Sequence, residues 1–281
     1  MWPVPRPQYA GWDVLNFYGA CIDSARSEER RVRLTHLGKD VREAAERYEL
    51  AALFGELHRL KDLEDQPDDK IVRADLLWAY TRGLVQNDVG RRHYDELLAR
   101  APQGRCPFCG HRDVSTLDHQ LPKATYPLLA TIPDNLVPAC SECNHRKNDA
   151  VAANTDTQLL HPYFEDASHG RWLFARVVSD DPIALLFFAE PDSAFTTTMQ
   201  ARIQHQFTHL RLAALYGTQA SRQIAGERLL LNQLRQEGGP AAVSEHLRAT
   251  AASWAATSVN CWQHAMYEAL ANDLGYVGGG S

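Results

Sequence analysis

The sequence predicts an α+β fold in which mainly α-helical regions flank a small central segment framed by cysteines. Apolar residues recur at helical spacing on both sides of that segment. Two Cys-x-x-Cys pairs, Cys106/Cys109 and Cys140/Cys143, enclose a polar stretch too short to form a large hydrophobic core. Two short β-branched and aromatic runs follow, a pattern typical of paired strands.

The N-terminal region, residues 1–100, is predicted to be helical. Residues 40–61 place apolar side chains at near-helical spacing, and Asp40 can cap the start of that helix. The charged break DLEDQPDDK separates it from a second helical stretch, from about residue 72 to residue 100. The chain is 44% hydrophobic, which is ample material for a core.

Four of the six cysteines predict a structural metal site. The opening MWPVPRPQYAGW has neither a basic nor an apolar leader region, so we expect a cytoplasmic protein whose thiols stay reduced. Paired knuckles of this kind are typical of one tetrahedral zinc ion. An iron-sulfur centre would also accept four thiolates, but the 30 residues between the knuckles and their polar surroundings favour zinc. The expected ligands are Cys106, Cys109, Cys140 and Cys143.

The C-terminal region is predicted to begin with two strands and continue as helices. The runs RWLFARVV and PIALLFFAE are expected to pair, and to extend or cover the central module. From about Phe195 the pattern predicts three helical segments divided by Gly and Pro, then a last helix from Cys261 to Leu274. The predicted domains are therefore a helical region (1–100), a central module (101–165), strands followed by helices (166–274), and a tail or linker (275–281).

The residues between and after the cysteine knuckles resemble those of HNH endonucleases, which have a ββα-metal (His-Me finger) fold, here with an added zinc ribbon. In that family a strand ends in an acidic residue and a histidine, a loop leads to an Asn-Leu pair, and a helix begins with a cysteine pair. The resemblance covers residues 106–149 of the 281. The matching residues are Asp118-His119, Asn135-Leu136 and the run Cys140-x-x-Cys143-Asn144-x-x-Lys147.

The resemblance implies a role for each of these residues. His119 would be the general base that takes a proton from the attacking water. Asp118 and Asn144 would bind one catalytic Mg²⁺ or Mn²⁺ through side-chain oxygens. Asn135 would bridge backbone groups across the loop and orient His119. The zinc ion would then be structural, since it fixes the helix against the strand.

Three cations near the motif are candidate phosphate contacts. Two further residues, His145 and Asn148, bear on which side chain binds the metal and on how the helix ends. Lys123, Arg146 and Lys147 could bind phosphate, but each could equally be a solvated surface charge. His145 is an alternative to Asn144 as the metal ligand, and the place in the motif favours Asn144. Asn148 stands where many family members have Gly, and Asn tolerates a left-handed backbone better than most residues. We interpret His161 as a structural residue. His205 and His209 have the i, i+4 spacing of a metal-binding pair, but no acidic ligand pattern lies nearby, so we interpret them as an exposed helix face.

The net charge of −6 is unusual for a protein that must bind a polyanion by itself. We therefore expect help from a partner, and no membrane association, because no apolar run reaches spanning length. The arrangement of helical flanks around a zinc-framed core resembles effector nucleases of bacterial anti-phage systems such as Septu. This resemblance implies an antiviral role and an ATPase partner.

Three functional hypotheses follow from the sequence. The first is a metal-dependent DNA endonuclease. The second is a ribonuclease that uses the same site on structured RNA, because the motif addresses phosphate and metal rather than the sugar. The third is a zinc-ribbon adaptor without catalytic activity, which would explain the cysteines but leave Asp118, His119, Asn135 and Asn144 as coincidences.

Overall fold

A computed structural model describes residues 3–7, 13–180 and 183–279 of the chain. The chain divides into two compact units, residues 1–166 and residues 167–281. In the described part, each unit contains one two-stranded antiparallel sheet, and helices make up most of the remainder. The predicted α+β class with largely helical flanks is therefore confirmed.

In the described part of the first unit, five α-helices precede the central segment, and all but the third begin at a capping side chain. Asp13 accepts a hydrogen bond from the Leu15 amide, and Asn87 accepts one from the Val89 amide. Such side chains satisfy amides that have no partner within a helix. The helices are α1 (Val14–Ile22), α2 (Glu28–His36), α3 (Gly38–Leu53), α4 (Lys70–Trp78) and α5 (Asp88–Leu98).

Both helices predicted in this region are interrupted earlier than the apolar pattern indicates. The helix predicted for residues 40–61 corresponds to α3, which ends at Leu53, and Gly55 then adopts a φ of 65°. The stretch predicted for residues 72–100 is divided between α4 and α5 by a π-helical turn, Ala79–Leu84. Periodicity alone misses these breaks because apolar side chains continue through them.

The helices and the cysteine-framed segment share a hydrophobic core. Tyr48 of α3 and Leu76 of α4 pack in one cluster with Tyr126 and Leu129, which lie within the insert between the knuckles. A second cluster joins α1, the π-helical turn and α5 to Leu117 and Leu136, which belong to the two strands of the first unit. The N-terminal helices are therefore part of the same folded unit as the central segment.

The first unit's sheet is a hairpin whose two strands lie at either end of a loop, residues 120–135. Strand β1 (Thr116–His119) pairs antiparallel with β2 (Leu136–Ala139), with His119 opposite Leu136. Helix α6 (Ser141–Lys147) follows β2 directly. The order strand, strand, helix is the one that the family resemblance implies.

The second unit contains a hairpin and four helices. Strand β3 (Leu173–Asp180) pairs antiparallel with β4 (Ile183–Ala189), as predicted, but it does not extend the sheet of the first unit. The helices are α7 (Thr197–His209), α8 (Leu212–Thr257), α9 (Trp262–Asn272) and α10 (Leu274–Gly278). None of the helices in the described part of the chain is both long enough and apolar enough to span a lipid bilayer.

Two of the predicted boundaries in this unit differ from the structure, and a third is present. The first break was predicted at Gly217, but α8 continues through this residue. The break lies instead at Arg211, between α7 and α8, where φ is 53°. The predicted break at Gly239 is present as a kink with a φ of 68°. Helix α10 includes residues 275–278, which belong to the predicted tail (275–281), while residues 280–281 lie outside the described residues.

We predict that Gly83→Ala destabilises the first unit. A Cβ atom at Gly83 would lie 1.7 Å from the carbonyl oxygen of Cys21 in α1, so the π-helical turn or α1 would have to move. The expected loss in free energy of unfolding, measured by urea denaturation, is at least about 2 kcal/mol.

Gly19→Ala is the matched control, because a Cβ at Gly19 in α1 meets nothing within 4 Å. We expect this substitution to leave stability unchanged or to raise it by up to about 1 kcal/mol, as is usual for helix interiors. Equal stability of the two variants would show that the close approach of the π-helical turn to α1 is not needed.

Candidate active site and cysteine cluster

A cleft of about 540 Å³ lies where the end of β1 faces α6. Four of the residues singled out in the sequence, Asp118, His119, Asn144 and Lys123, line this cleft. His145 lines it as well. The structure thus brings the Asp-His pair together with both candidate metal ligands of the helix.

His119 is buried and held in one orientation. It is 5% exposed, and its Nε2 lies 2.9 Å from the carbonyl oxygen of Ala130. Because a carbonyl oxygen can only accept a hydrogen bond, Nε2 carries the proton and Nδ1 is left with its lone pair. Burial, and then the positive charge of Lys123, lower the pKa of His119 to about 3. The imidazole is therefore neutral at neutral pH, which is the form that can accept a proton.

Asp118 has one carboxylate oxygen without a partner. Its side chain is 5% exposed, and among the described residues no hydrogen-bond partner reaches Oδ2. Burial raises the pKa of Asp118 to about 6, although the charge of Lys147 acts in the opposite direction. A buried carboxylate oxygen with an open coordination position, beside an amide or imidazole on α6, fits a divalent cation.

Lys147 is buried and does not point into the cleft where a substrate phosphate would bind. Its side chain is buried, its Nζ lies 3.3 Å from Oδ1 of Asp118, and it also donates to the carbonyl oxygen of His119. The ammonium group is therefore turned inward and joins α6 to the end of β1. The prediction that Lys147 binds substrate phosphate is contradicted by this placement, because all of its observed contacts are internal.

The other two candidate cations differ in position. Lys123 lines the cleft, and its Nζ lies 5.3 Å from the centre of the Tyr80 ring. Arg146 is half-buried on α6 and is not among the residues that line the cleft. Of the three predicted phosphate contacts, only Lys123 lies where a substrate in the cleft would meet it.

The side chain of Asn135 cross-links backbone groups within the loop between β1 and β2. Its side chain is fully buried, and its Oδ1 accepts a hydrogen bond of 2.7 Å from the Leu121 amide. Its Nδ2 donates to the carbonyl oxygens of Leu121 and Leu129, at 3.0 and 3.1 Å. Leu129 precedes Ala130, whose carbonyl orients His119. Asn135 thus fixes the backbone on which the position of the imidazole depends.

Tyr80 is a site residue that the sequence reasoning missed. It lies in the π-helical turn, lines the cleft, and places its ring edge-on to His119 with centroids 4.5 Å apart. In the sequence it reads as one more apolar position of a predicted helix. No spacing rule connects it to a motif that begins 26 residues later, at Cys106.

The four knuckle cysteines form a compact buried cluster. Their sulfur atoms all lie within 4.8 Å of one another. Tetrahedral coordination at a zinc–sulfur distance of about 2.3 Å would require sulfurs about 3.8 Å apart, so the cluster can close on one ion. In the described part of the chain, this is the one group of three or more His, Cys, Asp or Glu side chains suited to a metal.

The cysteine cluster lies at the start of α6. Cys140 is the N-cap of this helix, and its Sγ accepts a hydrogen bond of 3.4 Å from the Cys143 amide. The helix carries Asn144 and Lys147, and it ends at Asn148 with a φ of 51°. With its ψ of −157°, this is a backbone conformation that Gly adopts far more readily than Asn, so Asn148 is strained. Metal binding at the cluster would therefore fix the helix that faces Asp118.

The remaining histidines lie outside the cleft. His161 is fully buried, and its Nε2 lies 2.8 Å from the hydroxyl of Tyr48 and 3.1 Å from the carbonyl oxygen of Asp134. His205 and His209 stack on one face of α7 with ring centroids 5.4 Å apart. The contacts of His161 agree with the structural role predicted for it, whereas His205 and His209 are partly buried rather than fully exposed as predicted.

A hairpin that carries an Asp-His pair, followed by a short helix that faces it, defines the ββα class of nuclease core. Residues 106–150 match the family model for HNH endonuclease. This segment, which includes both knuckles and every residue of the predicted motif, is therefore an HNH endonuclease domain.

The chain is also similar to Protein ea31 of Escherichia phage lambda. The two are 33% identical over 144 residues, which cover 50% of this chain and 48% of the phage protein. The chain thus spans about half the length of the curated relative that it matches. No solved structure matches the chain.

We predict that Cys140→Ser removes tightly bound metal from the protein. The hydroxyl of Ser can still cap α6, so the loss would report on the missing thiolate rather than on the cap. The metal content of purified protein, measured by inductively coupled plasma mass spectrometry, should fall from about one equivalent to near zero.

Cys261→Ser is the matched control. Cys261 is also a buried N-cap, whose Sγ accepts a hydrogen bond of 3.5 Å from the His264 amide, but it is not part of the cluster. This variant should keep the full metal content. Wild-type protein without bound metal, or Cys140→Ser with a full equivalent, would contradict the assignment of the cluster as a metal site.

We also predict that Lys147→Met destabilises the first unit in the absence of added divalent ions. The substitution leaves Asp118 buried without a cation, and removing one member of a buried pair costs about 3 kcal/mol. Lys39→Met is the control, because the Lys39–Glu43 pair is exposed, and its loss should cost less than about 1 kcal/mol. Urea denaturation measures both, and similar small losses would show that the Asp118–Lys147 contact contributes little.

Proposed function

We propose that this protein is a metal-dependent endonuclease that hydrolyses phosphodiester bonds, with DNA as the favoured substrate. The observation that carries the proposal is the pairing, in one cleft, of an unprotonated His119 Nδ1 with an unpartnered Asp118 carboxylate oxygen. A base and a cation site at adjacent residues are the two elements that phosphodiester hydrolysis needs.

His119 acts as the general base in this proposal. The hydrogen bond to Ala130 directs the protonated nitrogen away from the reaction, so Nδ1 receives the proton of the attacking water. Burial keeps the ring neutral before the reaction, and Asn135 holds the loop that carries the Ala130 carbonyl. The base is thus available without an activating proton transfer of its own.

Asp118 and Asn144 would hold the catalytic divalent ion, Mg²⁺ or Mn²⁺. The donors are a carboxylate and an amide oxygen, which are the hard ligands that these ions prefer. When bound, such an ion supplies charge neutralisation at the phosphate and at the departing oxygen. His145, which lines the same cleft, is the alternative helix ligand. Lys123 would add a further positive charge beside the phosphate.

The cysteine cluster would hold a structural zinc ion. Its sulfurs can close on one tetrahedral ion, and four thiolates leave no open coordination position for substrate. The ion would substitute for hydrophobic core in a segment whose strands are only four residues long. Catalysis and folding would therefore depend on two different metals.

Binding of nucleic acid to this acidic chain requires a local source of positive charge. The net charge of −6 argues against strong binding to a polyanion by the whole surface, so a partner or a local basic face would have to contribute. An anti-phage role with an ATPase partner in the cytoplasm stays a prediction from the sequence resemblance. The partial similarity to a phage protein agrees with a function connected to phage, in either attack or defence.

We expect purified wild-type protein to cleave plasmid DNA when Mg²⁺ or Mn²⁺ is present, and His119→Ala to be slower by a factor of about 100 or more. Total tRNA is the competing substrate, and preferential tRNA cleavage would indicate a ribonuclease instead. Cleavage is followed by gel electrophoresis over time.

His205→Ala is the matched control, since His205 is a partly buried histidine on α7 and does not line the cleft. This variant should cleave at the wild-type rate. If His119→Ala cleaves as fast as wild type, the proposed base is wrong. If the folded, metal-loaded protein is inactive even with its co-purified cellular partners, the adaptor hypothesis replaces the nuclease.

A further inference from the structure

The wall of the cleft beside His119 is built by a residue outside the HNH domain. Tyr80 precedes the matched segment, residues 106–150, and its ring meets the imidazole edge-on at a centroid distance of 4.5 Å. Its hydroxyl lies 3.4 Å from the carbonyl oxygen of Leu117 in β1. Tyr80 is 9% exposed, so most of its surface is used in these contacts.

The backbone that carries Tyr80 is held by close packing. Tyr80 lies in the π-helical turn, and turns of this kind occur frequently at functional sites. Gly83 of the same turn approaches the Cys21 carbonyl, and Gly90 of α5 approaches the Gly83 carbonyl so closely that an added Cβ would lie 2.1 Å away. Since neither neighbour leaves space, the turn has little freedom to move the tyrosine.

We propose that Tyr80 is a positioning residue for His119, so that the N-terminal helices complete the active site of the HNH domain. The inference rests on the proposed function, in which His119 is the base. The hydrogen bond from Nε2 to Ala130 fixes one edge of the His119 imidazole. The Tyr80 ring packs against this imidazole and so opposes its rotation. Tyr80 touches neither the scissile bond nor the metal ligands in this role.

The same ring also positions Lys123. The ammonium group lies 5.3 Å from the centre of the Tyr80 ring, within the range of a cation–π contact. One side chain therefore contacts both the base and the cation that faces the substrate. Its loss should affect the chemical step more than the binding of nucleic acid, because the tyrosine contacts the proposed base directly and one candidate phosphate contact only.

Tyr94 is the matched control for Tyr80. It is a buried tyrosine on α5 that also touches β1, since its hydroxyl accepts a hydrogen bond of 3.1 Å from the Leu117 amide. It belongs to the same hydrophobic cluster as Tyr80, but it does not line the cleft. A purely structural role for the helices would make the two tyrosines equivalent.

The kinetic test compares Tyr80→Leu, Tyr80→Phe and Tyr94→Leu on the nucleic acid that wild type cleaves. We expect Tyr80→Leu to lower kcat by a factor of about 10 to 100, with KM changed by less than about threefold, as misplacement of a base predicts. Tyr80→Phe keeps the ring and should retain kcat within about threefold. Tyr94→Leu should lose stability similarly to Tyr80→Leu while keeping kcat within about threefold.

A spectroscopic test does not require activity. In protein labelled with ¹⁵N-histidine, long-range nitrogen–proton correlation identifies the His119 tautomer, with His119→Ala used to assign the signal. Wild type and Tyr80→Phe should show the Nε2-protonated form alone, and Tyr80→Leu should show both tautomers or a broadened signal.

The outcomes separate the inference from the proposed function. An active wild type with an equally active, folded Tyr80→Leu overturns the role of Tyr80 and leaves the nuclease intact. Suppose instead that wild type is inactive and that Tyr80→Leu still shows both His119 tautomers. This result would refute the proposed nuclease activity but support the positioning of His119 by Tyr80. Equal loss of kcat in Tyr80→Leu and Tyr94→Leu would reduce the contact to ordinary packing.

Discussion

The hydrogen bond from His119 Nε2 to the Ala130 carbonyl is the interaction on which the site depends. It decides that Nε2 carries the proton and that Nδ1 keeps its lone pair. That carbonyl lies in the loop between β1 and β2, whose course is fixed by the three hydrogen bonds of Asn135. The loop is in turn packed against α3 and α4 through Tyr126 and Leu129. The imidazole is therefore oriented by a chain of contacts that runs back to the N-terminal helices.

The same region concentrates buried charge in a protein whose overall charge is acidic. Asp118 and Lys147 form an ion pair with both side chains about 5% exposed, and Lys123 stands at the rim of the cleft. Burying such groups is costly unless each has a partner. Lys147 supplies a partner for one carboxylate oxygen, and the second oxygen has no hydrogen-bond partner among the described residues. The electrostatics thus favour a site that accepts one positive ion and keeps a neutral base next to it.

Cysteine spacing predicted the knuckles, and the family resemblance predicted the elements between and after them, because a motif fixes residue types at fixed separations. The two knuckles, the Asp-His pair at the end of a strand and the helix after Cys140 all lie where the motif places them, and the side chain of Asn135 makes the backbone bonds expected of it. Lys147 was misplaced because a sequence cannot show whether a cation points outward or inward. Tyr80 was missed because its contact with His119 depends on tertiary packing across the π-helical turn.

The breaks in the helices were harder to predict for a related reason. Apolar periodicity continues across Leu53 and across the π-helical turn, and a glycine such as Gly217 can lie inside a helix as easily as at its end. Arg211, by contrast, adopts a left-handed φ, which cannot be predicted from its residue type. Local sequence therefore defines which segments are helical, while the exact ends follow from the neighbours against which they pack.

The shared core of the helices and the HNH segment has a consequence for how this domain can be exchanged between proteins. Leu117 and Leu136 on the hairpin, and Leu129 in its loop, are covered by α1, α3, α5 and the π-helical turn. A segment cut at the boundaries of residues 106–150 would expose these side chains to water. Transplanting the segment onto another chain would therefore need a new cover for these side chains, because the cooperative folding unit includes the helices as well as the motif.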